Sequence, residues 1–227
     1  MEDEKVPHIN LMICTPGHSM MGSYVKSLLD LSAELNKQKI TWGFANDYSS
    51  HVADARELTL SGTKTNSLSE NRPFEGKLTY DKLMWIDSDI AFTPEDVIAL
   101  YNSEKDIISG AYLLAGGEVM AYREQLGAPY TYEEVKKMKE LVQVGGVGFG
   151  FVCVKSGVFE SLARPWFQSA ITTTHFEEGE NFTFAMIGED LSWCEHAKQK
   201  GYEIWFNPNI RVTHHKTMKL TWEGIQP

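Results

Sequence analysis

Short apolar runs alternate with amphipathic helical stretches through the first half of this 227-residue chain, and that alternation restricts the folds it can adopt. The predicted strands are residues 8–14 (HINLMIC), 40–45 (ITWGFA), 82–86 (KLMWI) and 106–112 (DIISGAY). Apolar side chains at spacings of three and four over residues 21–35 predict a helix that packs one face on a sheet. Residues 51–60 and the segment that begins at Thr93 and Pro94 predict two further helices. The pattern indicates an α/β fold with an open, Rossmann-like, mostly parallel sheet and helices on both faces.

The second half of the chain predicts shorter elements of the same kind. We expect helices at residues 132–141 and 189–200, strands at 149–154, 203–206 and 211–214, and a polar connection at 61–76. With 42% apolar residues, the chain is long enough to bury one sizeable core, so we expect a single domain.

Charge and cysteine content exclude several classes of protein. A formal net charge of −10 disfavours nucleic-acid binding, which needs a clustered basic face. Cys14, Cys153 and Cys194 lie far apart without a CxxC pair, and we expect buried free thiols in a reducing compartment. The apolar run that follows the charged N-terminus is too short for a signal sequence or a membrane span. These features predict a cytoplasmic protein.

Two carboxylates follow the strand predicted at residues 82–86. Asp87 and Asp89, separated by Ser88, lie where a buried strand reaches the edge of the sheet. Ligands of open parallel sheets bind at that edge. Such a pair can bind a hard divalent cation through oxygen and leave positions for phosphate oxygens, so that the metal neutralises a leaving diphosphate. Acids that simply end a strand in a turn are the alternative, and the position at the sheet edge favours a metal site.

A second acidic segment, Gly188-Glu189-Asp190, opens a predicted helix. Acids at a helix N-terminus gain stability from the helix dipole without doing chemistry. A carboxylate that deprotonates an acceptor hydroxyl also needs a rigid position of this kind. The interpretation favours a catalytic role for Asp190.

A third segment, His214-His215-Lys216, follows the last predicted strand. A neutral imidazole can complete a metal shell, and Lys216 can bind phosphate. Adjacent residues of a strand point to opposite faces, so both histidines cannot easily contact one ion. One histidine of the pair could therefore contact a metal, and the other would point away from it.

Four segments together resemble the nucleotide-sugar glycosyltransferases of GT-A fold, in particular the large family-2-like group. They are Asp87-Ser88-Asp89, residues 145–151 (GGVGFGF), residues 188–193 (GEDLSW), and residues 201–204 (GYEI) followed by 212–214 (VTH). Their order and spacing cover residues 9–216 and are more specific than any one segment. The resemblance implies one GT-A type domain over residues 1–227, with a nucleotide-binding half at about 1–115 and an acceptor and catalytic half at about 116–227.

The resemblance also implies a metal-dependent transfer of a sugar from a UDP- or GDP-linked donor to a hydroxyl of a glycan or other acceptor. In that family the Asp-x-Asp pair holds Mn²⁺ or Mg²⁺, a role that Asp87 and Asp89 inherit, with Asp89 the better direct ligand. The late histidine, here His214, often completes the shell. Ser88 and Lys216 are then expected beside the diphosphate.

Further contacts follow from the same resemblance. Thr15 and Pro16 match the turn that lines the nucleotide base. Arg56, in the segment ADAR, matches a stretch that faces nucleotide or phosphate, although a solvated charge on a helix face is an equal alternative. Asp190 matches the Glu-Asp pair of inverting members and would be the general base, with Glu189 as the second catalytic candidate.

Residues 168–186 place Phe176, Phe182 and Phe184 among polar residues. We interpret this stretch as a lid that faces the acceptor, and an ordinary surface excursion is the alternative. The chain has no clear C-terminal Gln-x-x-Arg-Trp motif of processive synthases, which disfavours a membrane-embedded polymerising enzyme.

Three other functions use similar residues. Haloacid-dehalogenase-type phosphatases also open with Asp-x-Asp after a strand, but they predict Thr or Val two residues after the second Asp, where this chain has Ala91. A nucleotide-sugar binding module without turnover would keep the pocket and could lose Asp190. A nucleotidyltransferase of similar fold usually has a glycine-rich basic loop after the first strand, and the sequence TPGH lacks Arg and Lys there.

Overall fold

The computed structural model describes residues 6–63, 67, 69–124, 127–175, 182–216, 219–221 and 224–226. Its helices are α1 Gly22–Lys37, α2 Val52–Ser61, α3 Pro94–Tyr101, α4 Tyr132–Lys137, α5 Val158–Ser161 and α6 Glu189–Gln199, with a 3-10 helix at Pro73–Gly76. Its strands are β1 His8–Cys14, β2 Trp42–Ala45, β3 Thr79–Ile86, β4 Ile90–Ala91, β5 Ile107–Ala111, β6 Glu118–Tyr122, β7 Pro129–Thr131, β8 Val142–Val144, β9 Gly146–Val147, β10 Phe151–Lys155, β11 Ala170–His175, β12 Phe182–Ile187, β13 Ile204–Arg211, β14 Thr213–His214, β15 Lys219–Thr221 and β16 Gly224–Gln226.

A seven-stranded sheet forms the centre of the fold in the order β2-β1-β3-β10-β5-β13-β8. The pairs β1–β2, β1–β3 and β5–β13 are parallel, whereas β10 runs antiparallel to β3 and β5, and β8 runs antiparallel to β13. Five of the seven strands therefore point the same way. The predicted mostly parallel α/β sheet is confirmed, and β10 and β8 are its two reversed strands.

Helices cover both faces of this sheet, as the alternation of strands and helices predicted. Along β1, Leu11 and Ile13 face one core cluster while Met12 and Cys14 face the other, because successive strand residues point to opposite faces. The first cluster receives buried side chains of α1 and α3, and the second receives those of α2, α4, α5 and α6. The helical residues that enter them include Tyr24, Leu31, Leu35, Val97 and Leu100 on the first face, and Leu60, Val135, Phe159, Trp193 and Ala197 on the second.

Several element boundaries differ from the predictions. The helix predicted at residues 132–141 ends at Lys137, because the backbone of Met138 is extended. The strands predicted at 203–206 and 211–214 form one long strand, β13, followed by the short β14. The sheet of β7, β6 and β9 was not predicted, since its strands are only three, five and two residues long.

The predicted lid at residues 168–186 contains a β-hairpin. Strands β11 and β12 pair antiparallel from Ala170 opposite Ile187 to His175 opposite Phe182. At its base Ile171 and Met186 are paired across the strands, and both are exposed. Phe176 lies outside the described residues, as do the side chains of Phe182 and Phe184.

The expected state of the cysteines is confirmed. Cys14, Cys153 and Cys194 are free thiols buried in the core, where burial raises the pKa of each. No helix in the described part of the chain combines the length and apolar character that a membrane crossing requires.

The glycine-rich segment before β10 is shaped by one close approach. Tyr112 follows β5, and the backbone N–H of Gly150 donates to its hydroxyl at 3.2 Å. A Cβ atom on Gly148 would lie 2.1 Å from the same hydroxyl oxygen, and one on Gly150 would lie 2.7 Å from the ring. Only glycine leaves room for a buried tyrosine at these two positions.

We therefore expect Gly148→Ala to lower the free energy of unfolding by about 1–3 kcal/mol, the usual cost of overpacking a core. Gly116→Ala is the matched control, because the nearest atom to its added Cβ is a flexible carboxylate oxygen of Glu118 at 3.4 Å. Urea denaturation of both variants measures the difference. Equal stability of the two would contradict the close approach of Tyr112.

Candidate functional site

A cleft of about 420 Å³ opens at the edge of the sheet where β1, β3 and β5 end. Ligands of open α/β sheets bind at this edge. The sequence-predicted site residues that line it are Pro16, Arg56, Asp87, Ser88, Asp89, Asp190, His214 and Lys216. Thr15 and Glu189 do not line it: Thr15 is fully buried with its hydroxyl on Tyr24, and Glu189 lies beneath the cleft.

The Asp87-Ser88-Asp89 turn is fixed by main-chain hydrogen bonds with three separate segments. Its first residue donates to the carbonyl of Gly150 at 3.0 Å, and the carbonyl of Ser88 accepts from Met21 at 3.0 Å. The carbonyl of Asp89 accepts from His215 at 2.9 Å, and β14 pairs with β4 next to it. The backbone thus holds both carboxylates at the sheet edge without using their side chains.

The Arg56 side chain contacts three separate parts of the site. Its guanidinium lies 3.2 Å from Asp87 Oδ1 and 3.2 Å from Glu189 Oε1, and it donates to the carbonyl of Phe149 at 3.4 Å. The side chain is only 4% exposed, which excludes the solvated-charge interpretation of this residue. Burial opposes its charge, but Asp87 and Glu189 outweigh burial and raise its pKa.

Asp89 carries a second cluster of charged partners. Its Oδ2 lies 3.2 Å from His214 Nε2 and 3.2 Å from Lys216 Nζ. Burial would raise the pKa of Asp89, but these two partners hold it below its ordinary value. The His214 Nδ1 lies 2.8 Å from the carbonyl of Leu113 and must donate there, because a carbonyl only accepts. Burial lowers the pKa of His214, while these hydrogen bonds raise it above its ordinary value.

Asp190 is the most perturbed carboxyl group of the cleft. Burial raises the pKa of Asp190 to about 6, the Glu189 carboxylate adds to the rise, and Arg56 opposes it. Its Oδ1 accepts from the backbone of Leu191 at 2.8 Å. The N-cap of α6 is Gly188, and no side-chain cap bond forms there, so Asp190 is not the cap of this helix.

One wall of the cleft consists of two turns that follow β1 and β2. Gly17 lies against Ser88, whose hydroxyl would be 2.9 Å from an added Cβ. The Asn46 amide donates to the carbonyls of Thr15 and Gly17 at 2.7 and 3.0 Å, which joins the two turns. Pro16 from the first turn and Tyr48 from the second line the cleft.

Tyr112 is a site residue that the sequence interpretation missed. Its buried ring lies edge-on to His214, with ring centroids 5.4 Å apart, and it lines the cleft. Its place directly after β5 was the available signal, because residues that follow parallel strands collect at one edge of the sheet.

This chain resembles several solved structures. No protein-family model and no curated protein matches the sequence. A197 from STIV matches 96% of this chain and 95% of its own length at a TM-score of 0.57 and 21% identity. GalNAc-T7, solved with UDP, GalNAc and Mn²⁺, matches 93% of this chain at a TM-score of 0.50 and 13% identity. The catalytic domain of Drosophila β1,4-galactosyltransferase 7 with xylobiose matches 93% of this chain and 72% of its own at a TM-score of 0.48 and 12% identity.

This chain has a GT-A fold. The fold class predicted from the strand–helix pattern and the four segments is therefore confirmed. At these identities the likeness concerns the fold alone, and the chain spans 44% of the GalNAc-T7 chain. The roles of individual site residues remain predictions.

The raised pKa of Asp190 predicts a pH-dependent penalty on stability. A carboxyl whose pKa rises on folding binds more protons in the folded state, so stability falls as the pH increases from about 4 to about 6. Asp190→Asn removes this penalty and keeps the acceptor for Leu191. Between pH 4 and pH 7 the variant should gain on the order of 2–3 kcal/mol relative to the wild type. Urea denaturation at both pH values measures this gain, and parallel pH curves for the two proteins would contradict it.

Proposed function

We propose that this protein is a metal-dependent glycosyltransferase that moves a sugar from a UDP- or GDP-linked donor to an acceptor hydroxyl. The observation that carries the proposal is the division of charge within one cleft. The first group is Asp89 at the sheet edge, whose carboxylate contacts the imidazole of His214 and the ammonium group of Lys216. The second is Asp190, which lines the same cleft and has a pKa of about 6. The first group suits a cation and a diphosphate, and the second suits proton transfer.

The donor-side residues fit a hard divalent cation. No three His, Cys, Asp or Glu side chains within the described ranges converge as a preformed metal cage. Mg²⁺ sites of phosphate enzymes do not need one, since one or two carboxylates and the substrate phosphates complete the shell. Asp89 and His214 would hold the ion, with Asp87 nearby, and the bound ion would supply charge neutralisation for the leaving diphosphate.

The orientation of His214 also fits this role. Its Nδ1–H is engaged by the Leu113 carbonyl, which leaves Nε2 directed at Asp89. Histidines that bind metals in proteins usually donate their other N–H to a carbonyl or carboxylate in this way. Lys216, on the same oxygen of Asp89, would contact a phosphate.

Asp190 is the proposed general base. A pKa of about 6 leaves it mostly ionised at neutral pH while keeping it more basic than an ordinary aspartate. An ionised Asp190 would take the proton of the acceptor hydroxyl as the sugar is transferred, which is the role of the base in inverting enzymes. Glu189, held by Arg56, would set the charge around Asp190 and take no proton itself.

The structural neighbours support this class of reaction at the level of fold. GalNAc-T7 was solved with UDP, GalNAc and Mn²⁺, which are the ligand types proposed for this cleft. A panel of UDP- and GDP-sugars incubated with Mn²⁺, read by released nucleoside diphosphate, identifies the donor. Release of phosphate from simple phosphate esters would instead favour a phosphatase, and binding without any release would favour a non-catalytic module.

Donor binding should depend on the metal. Calorimetry should detect UDP or GDP binding in Mn²⁺ or Mg²⁺, and His214→Ala should weaken it about tenfold or more, because a ligand to the ion is lost. His215→Ala is the matched control and should stay within about twofold, since only its backbone N–H contacts Asp89. Equal nucleotide affinity in excess chelator would contradict metal-dependent binding. A larger loss of affinity in His215→Ala than in His214→Ala would assign the metal to His215 instead.

Substitution of Asp89 and of Asp190 should affect different steps, donor binding for the first and sugar transfer for the second. Asp190→Asn keeps the shape but removes the base, so transfer should fall by about 100- to 10,000-fold while nucleotide affinity stays within a few-fold. Asp89→Asn should lose metal and nucleotide together. Transfer rates and calorimetric affinities of both variants test this, and near-normal transfer by Asp190→Asn would remove Asp190 from the mechanism.

A further inference from the structure

Two consecutive residues of α2 hold two different neighbours of the cleft. Successive residues of a helix are rotated by about 100° about its axis, so their side chains reach separate surroundings. Arg56 reaches Asp87 and Glu189, as described above. Glu57 instead reaches residues 164–167, the segment that leads into the β11–β12 hairpin.

Glu57 has the contacts of a structural anchor. Its Oε1 accepts from Arg164 Nε at 2.8 Å, and its Oε2 accepts from the backbone N–H groups of Trp166 at 2.9 Å and Phe167 at 3.4 Å. The Glu57 and Arg164 side chains are only 14% and 6% exposed. A carboxylate with both oxygens engaged by donors and little contact with water is held in one geometry.

Both ends of the hairpin are therefore attached to α2. Strand β11 begins at Ala170, shortly after the Phe167 backbone bound by Glu57. Strand β12 ends at Ile187, and the chain then reaches Glu189, which is bound by Arg56. The Arg56 side chain also forms an ion pair with Asp87, a carboxylate on the proposed donor side of the cleft. One turn of α2 therefore contacts this carboxylate and both ends of the hairpin.

The first attachment lies beside open space. A cavity of about 480 Å³ lies beside these hydrogen bonds and is lined by Glu57, Pro165 and Phe167 among others. On its other side the Phe167 ring packs on Trp85 and Phe149, with centroids 5.3 and 5.0 Å away. Without the Glu57 charge, the backbone at this end of the hairpin has room to shift toward α2.

We propose that Glu57 is a positioning residue for the acceptor. It fixes the start of the hairpin, while Arg56 fixes the chain just past its end at Glu189, the residue before Asp190. The acceptor role rests on the proposed glycosyltransferase function, but the anchoring of the hairpin does not. Glu57 itself does not line the cleft.

The test uses the full chain with Glu57→Gln, which keeps the size of the side chain and removes its charge. Hydrogen exchange at the amides of β11 and β12 should become about tenfold faster, the effect of losing one charged hydrogen bond, while amides of β1 and β3 keep their protection. UDP affinity in Mn²⁺ and the rate of donor hydrolysis by water should stay within about twofold of the wild type.

Acceptor binding is measured with p-nitrophenyl glycosides as probes. In Glu57→Gln the KM for the probe should rise up to about 100-fold, while the KM for the donor is unchanged. Glu34→Gln, which breaks an exposed ion pair on α1, is the matched control and should change none of these.

The outcomes separate this proposal from the proposed function. Unchanged exchange in β11 and β12 would overturn it, as would faster exchange in β1 and β3 to the same degree, which indicates a general loss of stability. An unchanged KM for the acceptor probes alongside faster hairpin exchange would also overturn it. Absence of UDP binding and donor hydrolysis in the wild type would overturn the proposed function instead, and the exchange data would still decide whether Glu57 anchors the hairpin.

Discussion

The rest of the site depends on the two ion pairs that the buried Arg56 guanidinium forms with Asp87 and Glu189. A buried charge without partners costs several kcal/mol, so α2 can pack over the sheet only if Asp87 and Glu189 both face it. These two residues come from the end of β3 and the start of α6, more than a hundred residues apart in sequence. Their shared partner brings the Asp-x-Asp turn and the Glu-Asp pair into one cleft.

The same arrangement explains why the carboxyl groups of the cleft differ. Asp87 and Glu189 are paired with Arg56, and Asp89 is paired with His214 and Lys216. Within the described ranges Asp190 forms no ion pair with a cation, and it lies next to Glu189 and is largely buried, so its pKa rises to about 6. In a protein with a net charge of −10, two of the basic side chains of the cleft are thus concentrated at Asp89.

Likeness in fold without likeness in sequence is consistent with how this molecule is built. The core of the sheet requires apolar residues of suitable volume at alternating positions, and many sequences meet that requirement. The cleft is lined mainly by residues that follow the strands, together with α2 and the start of α6. The fold therefore places a site at the sheet edge, and the residues there determine what the site does.

The sequence by itself determined the elements whose causes are local. The apolar runs of β1 and β3, the Thr93 cap and Pro94 of α3, and the position of Asp87-Ser88-Asp89 at a strand end depend on neighbours in the chain, so periodicity and turn chemistry were enough to predict them. Only the tertiary structure decided the reversed direction of β10, the burial of Arg56, the inward-facing Thr15 and the raised pKa of Asp190. Each of these depends on contacts between residues distant in sequence, and such contacts exist only once the sheet has brought its strands together.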